Sequence, residues 1–198
     1  MTRRMIFVTH ADVLIDPQVD VPDWPLAPRG RARHVAFNEA EIVRKVGVVY
    51  SSAERKAAQA GEILARARDV PHKVIEALHE NDRSATGYLP SDEFEKVADA
   101  FFASPTQSVR GWERACDAQD RVVKACQDIA RNEAETDGDI AVVAHGGVGA
   151  LFLAHLKGAD ISRSFDQPPG KGGHYISVSL PDWHVTDGWR DIAPGFAA

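Results

Sequence analysis

Apolar positions along the chain fall into two patterns. Short unbroken runs at residues 5–8 (MIFV), 48–50 (VVY) and Asp139–Ala144 (DIAVVA) read as strands buried on both faces. Residues 72–78 fit a further strand, and His174–Leu180 (HYISVSL) alternates polar and apolar positions with strand period. Between these runs, apolar residues recur at helical spacing over residues 29–45, 54–68, Ser91–Ala103 and 110–133. Ser52 is a natural N-cap for the second of these helices. His145-Gly146-Gly147 opens a last helix that reaches about Lys157. Residues 16–28, punctuated by Pro17, Pro22, Pro25 and Pro28, read as a loop, as do residues 79–93. No internal repeat, low-complexity tract or linker divides the chain. Strands alternating with helices predict a three-layer α/β/α sandwich with a mostly parallel sheet, as one domain over residues 1–198.

Composition narrows the class. With 198 residues, 44% hydrophobic and 26% charged, the chain has the balance of an ordinary globular protein. No apolar run approaches the roughly 20 residues of a membrane span. The apolar core of MTRRMIFVTH is too short for a secretory signal, so a cytoplasmic protein is expected. Cys116 and Cys126 share a predicted helix, about 15 Å apart at the helical rise, beyond disulfide reach. The net charge of −6 argues against general nucleic-acid or membrane-surface binding. Residues 1–68 nevertheless carry 11 basic against 8 acidic residues, and the remainder 12 against 21. That basic first third suits an anionic ligand as well as it suits ordinary surface variation.

Ligands of open α/β sheets sit beyond the carboxyl ends of the strands. Here the strands end in Thr9-His10, in Ser51-Ser52 followed by Arg55 and Lys56, in His79-Glu80, and in His145-Gly146-Gly147. His10 and His145, the Glu80 carboxylate and two cations therefore converge on one edge, beside helix N-termini that favour anions.

On these residues the chain resembles the histidine phosphatase superfamily, with its phosphoglycerate-mutase-like fold, over nearly its whole length. The family's first strand ends Arg-His-Gly-Glu, and here it ends Thr9-His10-Ala11-Asp12. The family's Ser-Ser turn, with an Arg four residues after the second Ser, is matched by Ser51-Ser52 and Lys56. Its acidic residue after the third strand falls on Glu80, and its strand-His-Gly-Gly-helix motif on VVAHGGVGALFLAHL, residues 142–156. The resemblance implies a neutral His10 that attacks phosphorus and forms a phosphohistidine. It implies Glu80 as proton donor to the leaving oxygen, and His145 with the amides from Gly146 onward as donors to phosphoryl oxygens. No metal or cofactor is called for.

The departures concern binding. Thr9 replaces the family's first Arg with an uncharged donor, and Lys56 replaces the second with a point charge in place of a bidentate fork. Asp16 stands where the family has Asn; facing inward and ionised, it repels phosphate. Arg55 and Arg83 are candidate replacements for the missing charge, or equally well solvated surface arginines. Of the other histidines, His34 and His155 read as surface or core-edge residues. His72, His79 and His184 lack partners at metal-ligand spacing, and a ligand contact at His174 stays open. PPGKGG, residues 168–173, lacks P-loop spacing and reads as a loop.

The expected function is a metal-independent phosphomonoesterase working through phosphohistidine. Two alternatives stand beside it: a catalytically weak relative that binds a phosphorylated ligand or a protein, and a hydrolase on the same fold whose substrate is not a phosphate monoester. The partners expected are a small phosphorylated substrate and, as an open option, a second copy in a homodimer. Nucleic acid and membrane are not expected.

Overall fold

The computed structural model describes residues 3–196. Residues 1–2 and 197–198, at the ends of the expected domain, lie outside the described residues. Six strands form one sheet: β1 (Arg3–Thr9), β2 (Val46–Ser52), β3 (His72–Ile75), β4 (Asp139–Ala144), β5 (His174–Leu180) and β6 (Val185–Asp191). Five helices flank it: α1 (Pro28–Phe37), α2 (Arg55–Arg68), α3 (Ser91–Ala103), α4 (Ala115–Asn132) and α5 (Gly146–Leu156). The strand order is β3-β2-β4-β1-β5-β6. The first four are parallel, while β5 runs antiparallel to β1 and to β6, so the sheet is mixed.

Successive side chains of a strand point to opposite faces, and both faces of the central strands are covered. Met5 and Phe7 of β1 enter a core with Val48, Val142 and the inner faces of α4 and α5, including Cys126 and Phe152. Ile6 and Val8 enter a second core with Val49, Val143 and Leu64 of α2. That is why these strands read as continuous apolar runs. A third cluster packs α3 and Trp112 against Leu151 of α5. Among the described residues no helix is long and apolar enough to cross a membrane. Both cysteines lie on α4 and are free.

Several predicted boundaries move. The 29–45 helix ends at Phe37, and residues 41–43 form a short 3-10 turn that brings Val43 into the core. The buried stripe of α1 is Gly30, Arg33, His34 and Phe37, whereas Val35 is 56% exposed. A stripe carrying Arg and His is invisible to a hydropathy pattern. The 110–133 helix begins only at Ala115, because Arg110 and Gly111 both take positive φ and break it. Strand β3 stops at Ile75, and residues 76–78 turn so that Leu78 drops into the core. Ser52 is the last residue of β2, and α2 starts at Arg55. β6 (VTDGWRD) is an edge strand too polar to stand out from the sequence.

Candidate active site

Parallel pairing of β1 with β4 puts Thr9 opposite Ala144, so the next residues on the two strands, His10 and His145, leave the sheet side by side. Their rings lie 5.2 Å apart, edge to face. The main chain of His10 is pinned on both sides: its N–H donates to Ala144 O at 3.1 Å, and its C=O accepts from Gly173 N–H at 2.9 Å. Gly172 has φ of +70°, and a Cβ there would fall 2.2 Å from His10 O. The close approach of the GKGG loop to His10 therefore needs glycine.

The His10 ring faces Ala11 O through Nδ1 at 2.9 Å. A carbonyl only accepts, so Nδ1 carries the proton and Nε2 keeps its lone pair. Burial, then the charge of Lys56, lowers the His10 pKa to about 4, so the imidazole is neutral near pH 7. Behind it, Ala11 N–H donates to Nε2 of buried His34 at 3.0 Å. Burial, then the neighbouring His10 and Arg33, lowers the His34 pKa to about 3.

His145 Nε2 lies 2.9 Å from Ser52 Oγ and 3.5 Å from Glu54 Oε1. Its Nδ1 is buried without a protein partner, and burial holds its pKa well below the usual histidine value. Lys56, also buried, donates to Val21 O at 2.9 Å and to the Glu54 carboxylate. Burial acts to raise the Glu54 pKa, but His145, Lys56 and the Glu80 N–H (2.8 Å) outweigh it and hold that carboxyl low. Lys56 is therefore a compensated charge.

Glu80 projects onto the N-terminus of α5. Its carboxylate accepts from Gly147 N–H at 3.1 Å, Val148 N–H at 2.9 Å and Asn81 N–H at 3.2 Å. The amides of Gly147 and Val148, expected as phosphoryl donors, are thus engaged by Glu80, because the helix terminus attracts the nearest anion. A Cβ on Gly147 would sit 2.7 Å from Glu80 Oε1. Arg121 of α4 secures the turn beneath, donating to the carbonyls of Ala77, His79 and Glu80 while paired with Glu113.

The remaining expected contacts divide. Arg83 stacks its guanidinium 4.9 Å from the Phe94 ring, and its charge acts on both His10 and His145. Arg55 is exposed and reaches only Asp23 O, at 3.4 Å. Thr9 is fully buried; its hydroxyl lies 2.7 Å from Gln167 Oε1 and accepts His174 N–H at 2.9 Å. Asp16 is exposed, and its carboxylate accepts Gln18 N–H at 2.9 Å in a local turn. Gly146 lies against Gln167, whose Nε2 would be 2.4 Å from an added Cβ. Sequence reasoning missed His34, Glu54, Arg121 and Gln167. For His34 the i, i+3, i+4, i+7 spacing with Gly30, Arg33 and Phe37 was a usable signal. For Gln167, 158 positions from Thr9, there was none.

Beside Glu54 and Glu80 opens a cavity of about 580 Å³, which Arg83 and Asn81 also line.

Solved structures of similar shape place this arrangement among known folds. Phosphoglycerate mutase from Bacillus anthracis matches with a TM-score of 0.78 at 12% identity, over 96% of this chain and 94% of that one. Mycobacterial glucosyl-3-phosphoglycerate phosphatase matches at 0.76 and 20% identity, over 95% and 96%. Its complex with inorganic phosphate matches at 0.76 and 20%, over 99% and 100%. No curated protein matches significantly. The family model of the histidine phosphatase superfamily (branch 1) matches residues 6–184. That span runs from β1, which leads into His10, past β4 and α5, which flank His145, and the chain belongs to that superfamily.

Proposed function

We propose that the chain hydrolyses phosphate monoesters through a phosphohistidine on His10. The observation that carries this reading is the state of that ring: neutral, with its proton held on Ala11 O and its Nε2 lone pair available. In the first step Nε2 attacks phosphorus, the bond to the ester oxygen breaks, and that oxygen takes a proton from Glu80, whose carboxylate has picked one up from solvent as the phosphoryl dianion bound beside it. In the second, water attacks the phosphohistidine, Glu80 takes its proton, and the P–N bond breaks to give phosphate and neutral His10. The arriving dianion favours protonation of His145, whose unpartnered Nδ1 then becomes a donor to it. Arg83 adds a cation, and Gly146 N–H and Gln167 Nε2 add neutral donors. A neighbour that is a phosphatase solved with inorganic phosphate supports this class of chemistry.

One feature favours the alternative of a binding protein with weak activity. Lys56 is compensated by Glu54 and Thr9 is engaged by Gln167, so the cradle keeps fewer free donors than the family pattern. Release of nitrophenol from p-nitrophenyl phosphate, in excess EDTA, tests both readings. The expected result is turnover by the native chain, none by a folded His10→Ala variant, and an acid-labile, base-stable phosphoryl label on His10. Equal turnover by the variant would sink the proposal. Phosphate binding without turnover would leave the alternative.

A further inference from the structure

We propose that the substrate is zwitterionic, its leaving group carrying an organic cation such as a protonated or quaternary amine. This rests on the phosphatase reading and adds the substrate class to it. The cavity beside Glu80 is lined by six carboxylates, those of Asp20, Asp23, Glu54, Glu76, Glu80 and Asp82, against the single guanidinium of Arg83. Three of the six already have functions inside the protein. Glu54 pairs with Lys56, Glu80 holds the α5 terminus, and Asp82 accepts Ser84 N–H at 2.9 Å. The carboxylates of Asp20, Asp23 and Glu76 make no ion pair or side-chain hydrogen bond recorded among the described residues, and all three are exposed at the rim.

A second observation points to a ligand. Asn81, only 8% exposed, also lines this cavity, and its side-chain N–H₂ group is buried with no hydrogen-bond partner. Buried polar groups without partners are rare in native proteins. This one is a donor beside Glu80, suited to an oxygen of the substrate near the bond being cleaved.

A phosphate dianion attached to a neutral or acidic leaving group meets repulsion at this rim. A cationic leaving group reverses the sign: its phosphoryl end goes to His10, Arg83 and His145, and its cation to Asp20, Asp23 and Glu76. A metal ion is a poorer match for the acidic lining. Among the described residues no three His, Cys, Asp or Glu side chains gather closely enough to hold one. The volume suits a small organic ligand.

The test compares phosphocholine with its uncharged carbon isostere, 3,3-dimethylbutyl phosphate, using p-nitrophenyl phosphate as a control. The native chain should favour phosphocholine over the isostere by roughly tenfold in kcat/KM, the combined effect of a few exposed charge pairs. The preference should shrink as salt is added. Neutralising the rim with Asp20→Asn, Asp23→Asn and Glu76→Gln should abolish it without lowering turnover of the aryl ester, which should rise a few-fold as the repulsion is relieved. In parallel, calorimetry should detect choline binding to the native chain and not to the rim variant. Aryl turnover without any preference for the cation overturns this inference and leaves the phosphatase reading standing. Choline binding without turnover of any ester overturns the phosphatase reading and leaves the cation site. Absence of both overturns both.

Discussion

Ala11 joins two imidazoles, one buried and one half-buried: its N–H donates to His34 and its C=O accepts from His10. Each contact holds its histidine in one neutral tautomer, and together they aim the His10 Nε2. Replacing His34 with Ala leaves the Ala11 N–H buried without an acceptor, which costs about 1–3 kcal/mol, and loosens the carbonyl that orients His10. We expect His34→Ala to lower Tm by several degrees and kcat on p-nitrophenyl phosphate by about tenfold, roughly 1.4 kcal/mol. His34→Gln, whose amide oxygen can still accept, should recover most of the lost kcat. A His34→Ala enzyme with unchanged kcat would remove His34 from the orienting role. The His10 ring should titrate by NMR in the free protein with a midpoint near 4, well below an ordinary histidine. A midpoint above 7 would mean that the ring is mostly charged at neutral pH and is no nucleophile there.

Among the elements, the N-terminus of α5 decides where Glu80 sits. Its Gly147 and Val148 amides grip the carboxylate, and the glycine allows the approach. Gly147→Ala should displace Glu80 and lower kcat by one to two decades while KM changes little; an unchanged kcat would show that Glu80 need not sit there. Arg121, which binds three carbonyls of the same turn from α4, supports it from below. Hydrogen bonds to charged groups contribute roughly 1.5–3 kcal/mol each. Arg121→Met should therefore destabilise the fold as well as slow the reaction, unlike Gly147→Ala, and a thermal melt beside a rate measurement separates the two.

Across the whole molecule, buried His34 and His145 flank half-buried His10 at one sheet edge, each with its pKa lowered first by desolvation. An unfolded chain binds protons on these rings near pH 6.5, while in the folded chain His10 does so only near 4, His34 near 3, and His145 well below its ordinary value. Between those values the unfolded state holds more protons, so stability rises with pH. The stabilisation is present above about pH 6.5 and is lost as pH falls through the folded values. Melting temperature should drop steeply from pH 6.5 to pH 4, and substituting His34 by Gln should flatten part of that slope. A flat profile would contradict neutral burial of the cluster.

The sequence by itself determined the layered α/β architecture and the positions of His10 and His145 just past two strand ends, with Glu80 in the turn that follows β3. Apolar runs and helical spacing record which backbone faces are buried, and parallel strands deliver their last residues to one edge. It did not determine how polar side chains pair across long separations. That Thr9 is taken by Gln167, that Glu54 reaches His145 as well as Lys56, and that His34 stands behind His10 were decided only when segments distant in sequence met. The same holds for β6, a polar edge strand that exists because β5 offers it hydrogen bonds. A hydropathy pattern reports burial, whereas the charge a site presents depends on which partners reach each group first, and that is set by tertiary packing.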